Sequence, residues 1–253
     1  NNNNQFAEAV DVTEIYRRTD TLNVDVNRQN AKAYCMLKYY KTSINRYEAL
    51  KAMGDRSFTT LYYLGVSQYA DNWPYGARDN LLEAHKKNPM DVNVLYYLAK
   101  ACARSSWKEE GIAYMNKAFD MVVPTDSMMI RLYDGLLECY KFHTKADPYE
   151  KIEVMKEAYS YTKRYTLFYQ IAEIYDYQKD YVNAVHYYEK YMALVPKNKQ
   201  TALDSEGNPL PNADTMYQKA RRRVEKIKVE DFFRNGAHDD YFEPKVIRTQ
   251  TKK

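Results

Sequence analysis

The chain has 253 residues, 45% hydrophobic and 28% charged, which is enough apolar content for a large core and excludes a disordered chain. Its formal net charge of +4 is unevenly placed: residues 1–213 carry 27 Lys+Arg against 27 Asp+Glu, and residues 214–253 carry 11 against 7. A neutral body of this kind argues against nucleic acid as the partner.

Seven glycines and 8 prolines must serve every turn, which favours long helices with short connections over a many-stranded sheet. Residues 1–23 form a leading element, a polar Asn1–Asn4 followed by a helix over Gln5–Arg18 with Phe6, Ala9, Val10, Thr13 and Tyr16 on one stripe. This helix reads as the second half of an incomplete repeat or as a cap. Asp25–Tyr40 and Thr42–Met53 form the first full pair, closed by a left-handed stop at Gly54-Asp55. Ala31 takes a small place in it, with Tyr34 and Tyr47 at aromatic places.

The next pair spans Phe58–Asp91, with Asn72-Trp73-Pro74 as its turn and Asn88-Pro89 as its end. Val92–Thr125 repeats it, and Ser106 with Glu109 has the spacing of a capping box for its second helix. The fourth pair keeps Met129, Leu132 and Leu136 in phase but puts Tyr133 at the small place. Its second helix opens with Asp147-Pro148-Tyr149-Glu150, after a lengthened turn near Phe142–Asp147. Tyr165–Asn198 regains the pattern. Residues 199–213 read as a linker with a turn at Glu206-Gly207-Asn208-Pro209. Residues 214–229 read as a basic amphipathic capping helix, with Met216, Ala220, Val224 and Ile227 on its stripe and Arg221-Arg222-Arg223 off it. Residues 230–253 are a tail without periodicity that contains Phe232-Phe233 and Tyr241-Phe242.

A 34-residue echo runs through these pairs. Leu64-Gly65, Ala77, Leu81, Ala84 and Pro89 return as Leu98-Ala99, Gly111, Met115, Ala118 and Val123-Pro124. They return again as Ile171-Ala172, Ala184, Tyr188, Tyr191 and Pro196. Small residues stand where two helices must touch and large apolar ones where a third must pack. Over residues 24–198, as about five repeats, the chain resembles the tetratricopeptide repeat (TPR) family. The resemblance implies an all-α, right-handed α-solenoid of helix–turn–helix repeats with a C-terminal capping helix.

It also implies a concave groove lined by the first helices, receiving a segment of another protein. Carried over place by place, the groove residues are Arg28, Lys32 and Cys35 in the first unit and Tyr62, Val66 and Tyr69 in the second. The third unit supplies Asn93, Tyr96, Lys100 and Arg104, and the fifth Tyr169, Glu173, Asp176 and Tyr177. Val66 stands where a carboxylate clamp of the family would need an amide, so that activity does not transfer. The resulting strip carries rings throughout, cations toward one end and carboxylates toward the other. Such a strip suits an aromatic or apolar peptide with acidic residues near the amino-side units.

The expectation is a non-enzymatic protein-interaction scaffold without cofactor or metal. Two alternatives stand beside it: a subunit of a larger assembly using its ends or convex face, and anionic-polymer binding through Arg221-Arg222-Arg223. Cys35, Cys102 and Cys139 lie inside helical patterns without metal or redox spacing and read as small buried hydrophobes. His85, His143, His186 and His238 are scattered, with His143 expected exposed in the lengthened turn, and no nucleophile–base pair can be argued. No stretch reaches the roughly 18–20 apolar residues of a membrane span. The reading is a soluble cytoplasmic or periplasmic product, the latter compatible with removal of a signal peptide.

Overall fold

The computed structural model describes residues 2–202, 206, 210 and 214–235. The turn at Gly207-Asn208-Pro209, His238 and Tyr241-Phe242 lie outside the described residues. Among the described residues the regular structure is helical throughout, and the chain divides into two compact units, Asn1–Ala146 and Asp147–Lys253.

The first unit holds α1 (Asn2–Arg17), α2 (Val24–Met36), α3 (Tyr40–Ala52), α4 (Phe58–Ala70), α5 (Pro74–Lys87), α6 (Val92–Ala103), α7 (Lys108–Asp120) and α8 (Asp126–Phe142). Helices α2–α3, α4–α5 and α6–α7 pack as antiparallel pairs, and each second helix packs on the next first helix. The small places explain the pairing. A Cβ added at Gly65 would lie 2.5 Å from Leu81 Cγ and 3.1 Å from the Ala77 carbonyl oxygen, so α4 and α5 approach only because that side chain is missing. Ala31, Ala77, Ala84, Ala99 and Ala118 are all fully buried at equivalent crossings.

In the fourth pair Tyr133 keeps the small place and is buried against Phe119, ring centroids 4.9 Å apart. The close approach moves two residues on. A Cβ at Gly135 would meet Tyr96 Cε2 at 2.8 Å and Met115 Cε at 2.4 Å.

The turns inside the pairs carry a second period. Lys38, Asn72 and Lys179 take left-handed φ of 66°, 63° and 61°. The N–H of each following residue reaches back five residues, Tyr39 to Tyr34 at 2.9 Å, Trp73 to Gln68 at 2.7 Å and Asp180 to Tyr175 at 2.9 Å. These are Schellman caps, which satisfy the orphan carbonyls at a helix end. The capping box expected in the third pair does not form. Helix α7 starts at Lys108 with Trp107 as its cap residue and no side-chain cap, while Ser106 Oγ lies 3.2 Å from the Tyr75 hydroxyl.

Helix α1 departs from its expected stripe. Thr13, Glu14 and Arg17 bond to α2, and Tyr16 is 45% exposed. Glu14 Oε1 accepts from Asn30, Tyr34 and Arg46, each at 3.1 Å. A part-buried carboxylate hub fixes the rotation of the helix here, and Val12, Ile15 and Tyr16 are left outside.

The second unit holds α9 (Pro148–Thr162), α10 (Thr166–Tyr177), α11 (Tyr181–Leu194), a single 3-10 turn at Lys197–Lys199, and α12 (Met216–Asn235). The expected start of α9 is present: Asp147 Oδ1 accepts from the Tyr149 N–H at 2.8 Å, with Pro148 in the first turn. Aromatic rings fill the α10–α11 pair, Tyr169 facing Tyr188 at 5.5 Å and Tyr191 at 5.3 Å. Helix α12 packs on α11 and buries Ala220, Val224 and Ile227. It runs to Asn235, six residues past its expected end, because no glycine or proline interrupts the sequence before Gly236.

Candidate functional site

The first helices of the first unit bring the expected groove residues onto one surface, but most of them are already partnered. Tyr62 is half-buried among Phe58, Tyr63 and Tyr97, ring centroids 5.8, 5.0 and 6.3 Å away. Burial, then the neighbouring phenols Tyr97 and Tyr63, pushes its hydroxyl pKa above the ordinary tyrosine range. Tyr69 and Tyr96 are 7% and 8% exposed, so their rings belong to the packing as much as to the surface. Val66 packs partly buried on the Tyr69–Leu81–Leu98 cluster.

The centre of the surface is a charge knot spanning three successive first helices. Glu138 of α8 accepts from the Tyr69 hydroxyl of α4 at 2.6 Å and from Arg104, beyond the end of α6, at 2.6 Å. Lys100 Nζ of α6 lies 3.0 Å from its second oxygen. Both cations also sit over rings: Lys100 is 5.1 Å from the Tyr69 centroid and 4.9 Å from that of Tyr96, and Arg104 is 4.4 Å from that of Tyr69. Burial alone would raise the Glu138 pKa. The hydrogen bonds from Tyr69 and Lys100 and the charges of Lys100 and Arg104 outweigh it and hold the carboxyl below its usual range.

Around the knot further cations rest on tyrosines. Arg131 of α8 lies 4.4 Å over the Tyr96 ring and donates to Asn93 Oδ1 at 2.8 Å. Lys32 of α2 lies 5.3 Å over Tyr63. Arg28 is held by Asp55, at 2.9 and 3.1 Å, and by Asp25 at 2.8 Å. Burial would raise the Asp55 pKa, yet hydrogen bonds from Thr60, Ser57 and Arg28 bring it down to about 2. Cys35, placed in the groove by the repeat pattern, is instead buried.

Sequence reasoning missed Glu138, Arg131, Asp55 and Tyr63. The first was within reach, since Glu138 stands one 34-residue period after Arg104. The fourth pair was left out of the groove because Tyr133 breaks its pattern.

In the second unit the expected groove carboxylate is taken by the chain itself. Arg223 of α12 donates twice to Asp176, at 2.6 Å each, and its own pKa is raised by that hydrogen-bonded pairing. Tyr169 is half-buried, whereas Glu173 is exposed and Tyr177 is 86% exposed. The other two arginines of the basic cluster also face carboxylates, Arg221 with Glu225 at 2.9 Å and Arg222 with Asp214. That pairing removes much of the free charge on which anionic-polymer binding would depend.

The three cysteines are buried free thiols, and burial pushes Cys102 up to about 11 and Cys139 up to about 12, outside the nucleophilic range. His143 is not the exposed side chain expected: it is 12% exposed and lies 3.5 Å from Glu109. Among the described residues no group of three or more His, Cys, Asp or Glu side chains could hold a metal, and no helix is long and apolar enough to cross a membrane.

No family model and no curated protein matches the sequence. Solved structures do match. The TPR protein YrrB, described as having an unusual peptide-binding site, aligns at a TM-score of 0.57 and 11% identity, over 73% of this chain and 93% of that one. The C-terminal part of a TPR repeat-containing protein from Cytophaga hutchinsonii aligns at 0.57 and 15%, over 76% and 74%. MamA of MSR-1 aligns at 0.55 and 18%, over 64% and 89%. At such identities the likeness is one of fold, and it agrees with the 34-residue period, the buried small places and the recurring caps: this chain is an all-α protein of the tetratricopeptide repeat fold.

Proposed function

We propose that the chain is a non-enzymatic protein-interaction scaffold whose first helices, in the unit Asn1–Ala146, hold a carboxylate-bearing segment of another protein. The observation that carries this is the seating of Lys32, Lys100, Arg104 and Arg131 on tyrosine rings. A cation held over a ring loses little further freedom when an anion arrives, and the ring beside it offers apolar contact area. One carboxylate, Glu138, answers both Lys100 and Arg104, so the knot itself keeps a positive excess. The similarity of fold to a TPR protein with a peptide-binding site supports a peptide as the ligand class.

The test is selection from a displayed random-peptide library against the wild type and a Lys32→Glu/Arg131→Glu variant. Both side chains are partly exposed; each substitution takes a cation off a ring, Lys32 off Tyr63 and Arg131 off Tyr96, and leaves the ring itself in place, so the melt of the variant is followed beside its selection. Wild type should enrich peptides rich in Asp and Glu with an aromatic residue nearby, and the variant should lose that enrichment. Equal, charge-blind recovery by both proteins would end the reading.

A further inference from the structure

The run Leu61-Tyr62-Tyr63-Leu64 of α4 returns one 34-residue period later as Leu95-Tyr96-Tyr97-Leu98 of α6. All four leucines are fully buried, so each tyrosine pair is carried at the same place on successive first helices. The four rings join into one strip. Centroid to centroid, Tyr63 lies 5.0 Å from Tyr62, Tyr62 lies 6.3 Å from Tyr97, and Tyr97 lies 5.2 Å from Tyr96. Tyr62, Tyr63 and Tyr97 are half-buried, and Tyr96 is the more deeply set.

A cation stands over each end of the strip. Lys32 of α2 is 5.3 Å from the Tyr63 centroid, and Arg131 of α8 is 4.4 Å from that of Tyr96. The nearby charges are spent on one another: Lys100 and Arg104 share Glu138, Arg28 is held by Asp25 and Asp55, and Asp91 caps α6. Lys32 and Arg131 differ. Among the described residues neither faces a carboxylate within ion-pair distance, and Arg131 gives one N–H to Asn93. Asp134, exposed one turn beyond Arg131 on α8, forms no ion pair with it. The ring-to-ring steps put the end rings no more than about 17 Å apart, which roughly five residues of extended chain span at ~3.3 Å each.

We propose that this strip selects a partner segment in which two carboxylates bracket a short run of apolar or aromatic residues, one acid on Lys32 and the other on Arg131. The proposal rests on the reading of the surface as a peptide groove, and it fixes the order of acid and ring along the bound segment. The bracketed run covers the tyrosines, so apolar area is buried between two charge contacts made on different repeats. Contacts so placed set register and span. Acids gathered at one end of a segment reach one of the two cations only.

The test is fluorescence anisotropy of the full chain with labelled, end-blocked synthetic peptides. Each bracketed peptide, with two to four Leu and Phe residues between two Glu, is compared with an isomer that has both Glu at one end. At the best spacing the bracketed peptide should bind wild type about tenfold more tightly, the effect of one charge contact. In Lys32→Gln, changing one Glu of that peptide to Gln should cease to matter while changing the other still weakens binding. Arg131→Gln should show the reverse. The isomer comparison uses wild type alone, so it holds even where a variant melts earlier. Isomers that bind equally at every spacing, yet better than their acid-free counterparts, would overturn the bracketing and leave the groove reading intact. Isomers no better than the acid-free peptides would overturn both. Two variants that answer to the same Glu would overturn the bracketing as well.

Discussion

Replacing Glu138 by Gln isolates the charge knot, because the amide keeps the shape and removes the charge. Glu138 is 16% exposed, as is Lys100, and Arg104 is 30% exposed, so the pairing is partly buried and partly screened. Breaking a fully buried pair costs about 3–5 kcal/mol, and solvent access lowers that figure. The Tyr69 hydroxyl would keep an acceptor in the amide oxygen, but Lys100 and Arg104 would face an amide N–H₂ across one side. We expect a loss of about 2 kcal/mol at neutral pH. The pH dependence gives the sharper signature. A carboxyl held below its usual range contributes stability that is present above the ordinary glutamate pKa and drains away as pH falls through its folded value. Urea melts of wild type and variant should therefore differ at pH 7 and converge in acid. The subtraction matters because Asp55 and Glu14 are also held low and titrate alike in both proteins. A difference that persists unchanged in acid, or no difference at pH 7, would refute the assignment of Glu138 as an ionised tie between repeats.

Gly65→Leu should cost about 3 kcal/mol by urea denaturation, because even its Cβ would overlap Leu81. Arg223→Ala should weaken the docking of α12 by about 1–2 kcal/mol, seen as faster amide exchange in α12 with α4 and α5 unchanged, since the lost pair with Asp176 is bidentate and half-buried. Lys38→Gly should raise thermal stability by about 1 kcal/mol, because a lysine now holds the left-handed cap that glycine adopts without strain.

The crossings were legible in the sequence because a helix pair has no freedom about them. Where two backbones touch, only Gly, Ala or Ser fits, so Gly65, Ala77, Ala99 and Gly111 announce themselves at a fixed period. The groove was less legible, since a tyrosine at a groove place can face solvent or fold back onto its neighbours with the same backbone. Tyr62 and Tyr69 illustrate this: their positions were read, while their involvement with Phe58, Tyr97 and Glu138 depended on side-chain rotation. Asp176 was beyond reach for another reason. Its partner Arg223 lies 47 residues later, past a non-repeating segment that hides the register of α12. In α1 the apolar period was misjudged because Glu14 can serve four polar partners from a part-buried position, and that network outweighs burial of Tyr16.

The knot also ties binding to folding. Stability in repeat arrays is close to a sum of single repeats and nearest-neighbour interfaces. The Tyr69–Glu138 bond departs from that rule, since it joins the first helices of the second and fourth pairs with α6 between them. The rings that seat Lys100 and Arg104 are therefore the rings that couple three repeats, and Tyr69 and Tyr96 cannot be truncated to probe binding without loosening the stack. An acidic segment bound to the same cations would act in the opposite sense, adding a second carboxylate to a site that has one for Lys100 and Arg104. By linkage it should raise the melting temperature with ligand concentration, by RT ln(1 + [L]/Kd) in free energy. In Glu138→Gln, where the cations have lost their internal partner, the same acidic peptide should bind more tightly and restore part of the lost stability. A peptide that bound wild type and variant equally would separate the groove from the knot and place the recognised charge on Lys32 or Arg131 instead.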